Sequence, residues 1–456
     1  MKNVGVIGTG YVGLTHGTIL AEKGNRVICY DIDKQKVEDL KKGGMPIYEP
    51  GLEELVRKNY GKRKLKFTAD PLYCISNSDV LFICVNTPPK QETGRFRKAD
   101  LSYVENAARM IAQTMKGYKV IVDKSTVPVL TGEKVCETMI KSGTLYEFDV
   151  VSNPEFLREG KAVEDSLNPN RIVIGVLKDE KKRLLKRPLK EMRELYHNFN
   201  TQILETDIWS AELIKLASNA YLAEGVSFIN LIAGLCAATG GDVTQVAEGM
   251  RLDKRIGKYA FLNAGLGFGG SCFQKDIENL YNIFLEKNID AELFKQIVEV
   301  NKAQRMYFVK IIEEGLWTLK NKKIAALGLS FKPDTDDMRE APSVDIINKL
   351  VEEGANINVY DPKAMKNAKQ HFKDKVTYCK NLEETVKGSD AIVLMTEWDE
   401  FKKMNLKKIK RMMNEPAHFF DGRNVFEPEK MSKEGFYYYS IGRPHIKPKN
   451  NKNEKH

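Results

Sequence analysis

The stretch FGGSCFQKD, residues 268–276, places a cysteine directly after two glycines and a serine, with a lysine and an aspartate close behind. A thiolate here could add to an aldehyde, so that an alcohol is oxidised first to the aldehyde and then, through a thioester, to the acid. Cys272 precedes a predicted helix, where backbone N–H groups and the helix dipole lower a thiol pKa. Lys275 adds positive charge, and Asp276 could handle a proton or a water. A small buried hydrophobe is the alternative, and the stretch alone leaves both open.

Lys215 and Asn219 lie four residues apart on a predicted helix, so they share one face. A lysine on an otherwise apolar helix costs desolvation, and it could stabilise an alkoxide or a tetrahedral oxyanion. A surface lysine that snorkels into water is the alternative.

Two further segments carry polar groups at predicted strand ends, where catalytic groups of α/β sheets lie. The segment NPEFLREG, residues 153–160, contains Glu155 and Glu159, and STVP, residues 125–128, contains two hydroxyls. For the first segment, a polar turn before a helix is the alternative.

A glycine fingerprint lies at the N-terminus. Gly8, Gly10 and Gly13 form GxGxxG directly after a predicted strand, and Asp31 closes the next strand, 18 residues past Gly13. The glycines permit a tight turn and close approach of the backbone to a pyrophosphate at a helix N-terminus. Asp31 would accept hydrogen bonds from the adenosine ribose and repel a 2′-phosphate, which favours NAD over NADP.

The elements that must position these residues alternate between strand and helix. Apolar runs predict strands at 2–8, 26–31, 79–85, 119–125, 148–153 and 171–176, with helices such as 101–115 between some of them. This alternation predicts a doubly wound parallel sheet.

After about residue 200 the pattern becomes helical and then returns to α/β. Residues 207–238 predict one helix of ~48 Å that Asp207 could cap, and two more helices follow at about 273–287 and 290–316. From residue 322, KKIAALGLS, INVYD, SDAIVLMTEW and HFFDGRNVF predict strands, and SVDIINKLVEEG predicts a helix. The fold class expected is therefore α/β, with two Rossmann-like doubly wound domains joined by a long central helical region.

Composition narrows the class of protein. The chain has 456 residues, 42% of them hydrophobic, and a net charge of +10. No apolar run reaches ~18 residues, and the N-terminus lacks the pattern of a signal peptide. Seven scattered cysteines indicate free thiols in a reducing compartment, which predicts a cytoplasmic protein. The dispersed lysine clusters indicate solvated surface or attraction of a small anionic substrate, since no nucleic-acid motif accompanies them.

Nine motifs occur in an order that resembles the UDP-glucose/GDP-mannose dehydrogenase family, from residue 2 to about 443: GTGYVGL, VNTPP, KSTVP, NPEFLREG, ELIKLASNAYLAE, RIG, GFGGSCFQKD, GLSFKPDTDDMREAPS and DGRN. The resemblance implies an NAD-binding Rossmann domain (1–206), a central helical dimerisation region (207–316), a C-terminal Rossmann-like UDP-sugar-binding domain (317–446) and a disordered basic tail (447–456). It also implies oxidation of UDP-glucose by two NAD to UDP-glucuronate, a precursor for polysaccharides, by a homodimer or a higher homo-oligomer.

The resemblance also assigns roles to residues. It makes Cys272 the nucleophile; the other catalytic residues implied are Lys215, Asn219, Asp276, Glu155, Glu159 and Thr126. The implied contacts to NAD are Gly8, Gly10, Tyr11, Val12, Gly13, Asp31, Lys36, Val85, Asn86, Thr87, Pro88, Ser125, Thr126, Glu159, Lys275 and Arg339. The implied contacts to the sugar nucleotide are Glu155, Phe156, Leu157, Lys215, Asn219, Arg255, Phe261, Gly267, Cys272, Phe331, Lys332 and Arg423. Arg255 is similar to an arginine that reaches the substrate of the neighbouring subunit, and no metal is implied.

Other functions remain open at this point. GDP-mannose or a UDP-N-acetylhexosamine could replace UDP-glucose, and Asn263 stands where some relatives carry a lysine near the nucleotide. A two-electron hydroxyacid dehydrogenase would leave Cys272 without a task. A non-catalytic NAD sensor or a basic nucleic-acid-binding protein would have no use for Cys272, Lys215 and Asp276 together.

Overall fold

The computed structural model describes residues 1–90 and 96–449. The chain forms two compact units: residues 1–218 with 278–290, and residues 219–277 with 291 onward. Most of the predicted basic tail, 447–456, lies outside the described residues.

The first unit contains an eight-stranded sheet with the order β3-β2-β1-β4-β5-β6-β7-β8. Its strands are β1 (Asn3–Ile7), β2 (Arg26–Tyr30), β3 (Leu65–Thr68), β4 (Val80–Ile83), β5 (Lys119–Asp123), β6 (Phe148–Ser152), β7 (Ile172–Val176) and β8 (Ile203–Asp207). The six strands predicted in this part of the chain are confirmed, and β3 and β8 are additional. Six of the seven neighbouring pairs are parallel, and β6 and β7 are antiparallel.

Helices cover both faces of this sheet, as expected for a doubly wound fold. They are α1 (Tyr11–Glu22), α2 (Lys34–Lys41), α3 (Leu52–Gly61), α4 (Pro71–Ser76), α5 (Ser102–Thr114), α6 (Thr131–Lys141), α7 (Ala162–Leu167) and α8 (Lys186–Tyr196). Alternate residues of the strands enter two separate cores. Val4 and Phe82 belong to one core, and Ile7 and Leu81 belong to the other.

The long helix predicted after residue 207 is confirmed as α9 (Ile208–Thr239). Asp207 caps it, because its Oδ1 accepts a hydrogen bond from the Ser210 N–H at 2.9 Å. Among the described residues, α9 is the one helix long and apolar enough to cross a membrane. Its first turns, however, carry Glu212 and Lys215, which are buried and bonded to other parts of the first unit. This part of α9 is therefore a core helix.

Three more helices follow: α10 (Val243–Leu252), α11 (Phe273–Glu286) and α12 (Glu292–Leu316). The predictions of helices at about 273–287 and 290–316 are confirmed, and α10 was not predicted. Val243, Val246, Ala247 and Met250 lie at the i, i+3, i+4, i+7 spacing of a helix, so the sequence did carry a signal for α10.

The second unit contains a fully parallel six-stranded sheet with the order β11-β10-β9-β12-β13-β14, which is the Rossmann order 3-2-1-4-5-6. Its strands are β9 (Lys323–Leu327), β10 (Asn356–Tyr360), β11 (Thr377–Tyr378), β12 (Ala391–Leu394), β13 (His418–Asp421) and β14 (Tyr437–Ser440). Its helices are α13 (Pro342–Glu352), α14 (Met365–Phe372), α15 (Leu382–Val386), α16 (Asp399–Lys402), α17 (Leu406–Met412) and α18 (Pro428–Lys433), with a 3₁₀ turn at Lys373–Lys375. The predicted fold class is thus confirmed.

Candidate active site

The glycine fingerprint forms a tight turn between β1 and α1. Gly8 has φ = +99°, and a β-carbon there would lie 2.7 Å from the Cys84 carbonyl oxygen. A β-carbon on Gly13 would lie 2.0 Å from the Gly8 carbonyl oxygen. Only glycine fits these positions. Because α1 begins at Tyr11, Gly8 precedes the helix and Gly13 lies in its first turn. The turn therefore fits a pyrophosphate at the N-terminus of α1.

Asp31 lies at the end of β2 and is tied to this turn. Its Oδ2 accepts hydrogen bonds from the Thr9 N–H (2.9 Å), the Thr9 hydroxyl (2.6 Å) and the Lys36 ammonium (2.8 Å). Burial alone would raise the pKa of Asp31, but these bonds lower it below its ordinary value. Asp31 is therefore an anion, as recognition of the ribose requires.

The loops after β4 and β5 meet at the same edge of the sheet. The Ser125 hydroxyl donates to the Val85 carbonyl at 2.8 Å, and the Thr87 hydroxyl donates to the Thr126 carbonyl at 2.9 Å. The predicted NAD contacts in residues 85–88 and 125–126 are thus brought together near the carboxyl ends of parallel strands, where α/β sheets bind their ligands.

Lys215 of α9 forms a buried ion pair with Glu155. The two side chains are 6% exposed, and Lys215 Nζ lies 2.7 Å from Glu155 Oε1. The Leu157 N–H donates to the other Glu155 oxygen at 2.7 Å. The interpretation of Lys215 as a snorkelling surface lysine is therefore wrong. Phe156, between Glu155 and Leu157, has its ring centroid 5.7 Å from the Lys215 ammonium.

In the second unit, Cys272 lies at the start of α11. Its carbonyl accepts the first hydrogen bond of the helix, from the Asp276 N–H at 2.9 Å, so Cys272 is the N-cap residue. Its thiol is partly exposed. By contrast, burial raises the pKa of the Cys74 and Cys84 thiols to about 12. Cys272 thus differs from them in both access and position, since a helix N-terminus stabilises a thiolate.

Asp276 and Asn219 are brought together one turn into α11. Asp276 is fully buried, and the Asn219 amide donates to its Oδ2 at 2.6 Å. The Lys275 ammonium lies 3.2 Å from the other oxygen. Lys275 and Asp276 thus lie in the first turn of α11 after Cys272, and the Asn219 amide of α9 is bonded to Asp276.

The glycine-rich loop before Cys272 is held by α12. The Asn301 side chain accepts from the Phe268 N–H at 2.7 Å and donates to its carbonyl at 3.0 Å. The Arg305 guanidinium donates to the same carbonyl at 3.1 Å. Gly267 has φ = +91°, and a β-carbon there would lie 2.2 Å from Asn301 Oδ1. These two helix residues were not singled out in the sequence, although polar residues on the apolar face of α12 are a signal that could have found them.

Arg423 is fixed beside the loop after β9. Its guanidinium donates to the Met395 carbonyl at 2.7 Å and to the Phe331 carbonyl at 2.8 Å. It lines a cavity of about 590 Å³ in the second unit. Arg251 and Asn263 line the same cavity and are joined by a hydrogen bond of 2.7 Å. Arg251 was also missed in the sequence, because nothing local marks it.

The remaining predicted residues are placed less tightly. Arg255 is 90% exposed and pairs with Asp253 at 2.6 Å, and Phe261 is 46% exposed. The Lys332 ammonium lies 5.3 Å from the centroid of its neighbour Phe331. Glu159 lies in the loop between β6 and α7. Two of the predicted NAD contacts, Lys275 and Arg339, belong to the second unit, whereas the others belong to the first. Arg339 forms an ion pair with Asp337.

A glycine turn and an acid at the edge of a parallel sheet, with a helix-capping thiol elsewhere in the chain, define a nucleotide-dependent oxidoreductase. Residues 2–200 match the NAD binding domain of the UDP-glucose/GDP-mannose dehydrogenase family, residues 209–303 its central domain and residues 325–428 its UDP binding domain. The chain belongs to this family, and it is an NAD-dependent oxidoreductase.

Individual relatives match nearly the full length. The UDP-glucose 6-dehydrogenase TuaD of Bacillus subtilis (strain 168) is 44% identical over 98% of this chain and 94% of its own. The solved UDP-glucose dehydrogenase of Pyrobaculum islandicum is 35% identical, with a TM-score of 0.88 over 97% of this chain and 98% of its own. A solved UDP-D-ManNAc dehydrogenase of Pyrococcus horikoshii is 27% identical, with a TM-score of 0.83 over 97% and 99%.

Proposed function

We propose that this protein is a UDP-glucose 6-dehydrogenase that oxidises the C6 alcohol to the carboxylate with two NAD. The observation that carries the proposal is Cys272 at the N-cap of α11, with the Asn219–Asp276 pair one turn along the helix. A single oxidation to an aldehyde gives a thiol no role, whereas continued oxidation to the acid can proceed through a thioester on the thiol. The higher identity to UDP-glucose dehydrogenases than to the ManNAc enzyme supports glucose as the sugar.

The proposed reaction has three steps that the protein's own groups serve. NAD, when bound, accepts a hydride. In the first step the C6 alcohol loses a proton and a hydride and becomes an aldehyde. In the second, the Cys272 thiolate adds to the aldehyde carbon, and loss of a second hydride leaves a thioester. In the third, water displaces the thiolate, which releases the carboxylate and two protons. Two hydrides and one water account for the four-electron change.

The buried charges have distinct tasks in this proposal. The Lys215 ammonium stabilises the oxyanions that form at C6, with help from the Asn219 amide, and Glu155 keeps Lys215 oriented. Asp276, held by Asn219, orients the water or moves a proton. Glu159 and Thr126 stand near the reacting water, as the family resemblance implies.

We assign the nucleotide part of the substrate to the second unit. Arg423 lines the cavity there and can bond phosphate oxygens. Lys332 adds a second cation, since it follows Phe331, whose carbonyl accepts a hydrogen bond from Arg423. NAD is assigned to the glycine turn and the strand-end loops of the first unit. The boundaries 1–206, 207–316 and 317–446 remain our proposal for the NAD-binding, central and UDP-sugar-binding domains.

The wild-type protein tests the function directly. We expect UDP-glucose to be consumed with NAD and two NADH to form per molecule, without release of aldehyde, because the thiol retains the intermediate. NADP should support much less turnover, because Asp31 would face its 2′-phosphate. The measurement is NADH absorbance against consumed sugar nucleotide, with GDP-mannose and UDP-N-acetylglucosamine in parallel. A ratio of one NADH, or faster turnover of another sugar, would refute the proposal.

We also propose that the protein is a cytoplasmic homodimer. The second half of α9 exposes an apolar stripe at helical spacing: Tyr221 (75%), Phe228 (43%), Leu231 (59%) and Leu235 (60%). A second copy of this chain would cover it. The seven cysteines, all within the described residues, are free, which suits a reducing compartment.

Light scattering tests the assembly. The wild type should have about twice the chain mass of 51.8 kDa, and Leu231→Arg with Leu235→Arg should yield monomer, because two charges cannot be buried unpaired. Leu145→Arg, at a position that is 93% exposed in the first unit, is the control and should leave the mass unchanged. A wild type of single-chain mass would contradict the proposal.

A further inference from the structure

A second buried lysine lies beside the Lys215–Glu155 pair in the first unit. Lys124 follows β5, directly precedes Ser125 and is only 7% exposed. Its ammonium donates to Asn153 Oδ1 at 3.0 Å. The reaction proposed above does not use Lys124. Burying a cation costs free energy unless the charge is paired and hydrogen-bonded.

The Lys124 contact fixes the turn that carries Glu155. Asn153 Oδ1 also accepts from the Tyr196 hydroxyl at 2.5 Å, and the Asn153 amide donates to the Val173 carbonyl at 2.6 Å. These three bonds of Asn153 lie within the first unit. Glu155, two residues further, then meets Lys215 at 2.7 Å. Lys124 thus helps set the position of the ion pair through Asn153.

Buried polar and ionisable groups surround Lys124. The groups that face it are Cys84 after β4, His16 on α1, Tyr196 on α8, Glu155 after β6 and Lys215 on α9. Lys124 and Lys215 thus place two ammonium groups beside the Glu155 carboxylate. Burial, with a smaller contribution from Lys215, lowers the pKa of Lys124 to about 8, while Cys84 and Glu155 oppose the shift.

We infer that Lys124 is a positioning residue for the proposed oxidation: through Asn153 it orients Glu155, and its charge adds to that of the nearby Lys215. The inference rests on the proposed function. An oxyanion that forms at Lys215 is then stabilised by two cations, in a medium that screens charge weakly. Loss of the Lys124 proton would remove one of these two charges.

Two substitutions separate charge from structure. Lys124→Met keeps most of the volume and removes the charge, so we expect kcat with UDP-glucose to fall at least ~10-fold, with little change in KM for NAD. Lys124→Arg keeps the charge and should retain most of kcat. Wild-type kcat should fall as the pH rises through about 8, with an inflection there, because Lys124 then loses its proton. Neither variant should show it, because methionine does not titrate and arginine stays protonated.

Lys119→Met is the matched control. Lys119 is the first residue of β5, at the end of the strand away from Lys124. It is 3% exposed and donates to the Ser78 carbonyl. Its substitution should preserve both kcat and the inflection. NAD titration of each variant reports whether the first unit is folded.

The outcomes are distinguishable. If the wild type does not turn over UDP-glucose, the proposed function fails. If the wild type is active and Lys124→Met keeps its kcat and the inflection near pH 8, the inference about Lys124 is overturned. It is also overturned if folded Lys124→Arg keeps the inflection, and this arm decides the question even if the methionine variant does not fold.

Discussion

Cys272→Ala is expected to bind NAD and UDP-glucose and to lose conversion to the acid by a factor of at least ~10³, because no thioester can form. The change from thiol to methyl removes little volume at a partly exposed N-cap, so the fold should persist. The measurement is UDP-glucuronate formed per enzyme, alongside binding of both ligands. Near-normal acid production would show that Cys272 is a structural thiol.

Two companion experiments sharpen this test. Cys272→Ser should be very slow and could be trapped as an ester, visible as the added sugar nucleotide in the intact mass, since an ester hydrolyses more slowly than a thioester. Iodoacetamide should inactivate the wild type at Cys272, with protection by UDP-glucose. Cys136, the other partly exposed thiol, is the control: burial raises its pKa, so it should react more slowly.

Lys215→Met is expected to lower kcat by ~10²–10³-fold, because an oxyanion at C6 loses its cation. It should also lower the free energy of unfolding by about 3 kcal/mol, since Glu155 would stay buried without its partner. The measurements are steady-state kinetics and urea denaturation. A variant with kcat within a few-fold of the wild type would refute the role given to Lys215.

A double variant distinguishes catalysis from stability. Lys215→Met combined with Glu155→Gln removes both charges, so it should regain most of the lost stability and none of the lost kcat. Lys178→Met is the control for a surface pair: Lys178 lies 2.9 Å from Asp207, but its side chain is 35% exposed. Its loss should cost less than about 1 kcal/mol.

The sequence by itself determined the features that depend on local backbone conformation. The turn at Gly8 and Gly13 was predicted because a strand, a helix start and an acid at the next strand end accompany the glycines. The 32-residue helix α9 was predicted because its helix-forming residues are consecutive in the sequence and the aspartate that caps it directly precedes them. The family resemblance then linked these features to a particular chemistry.

Tertiary structure decided what depends on residues far apart in the chain. Lys215 and Glu155 are 60 residues apart, and Asn219 and Asp276 are 57 apart, so no local pattern reports that they pair. The antiparallel pairing of β6 with β7 likewise depends on how the chain returns after the loop. Nor could the burial of Lys124 be read from KSTVP, because burial is a property of everything packed around a side chain. Burial and long-range pairing set the charge and position of these groups, and only the folded chain determines them.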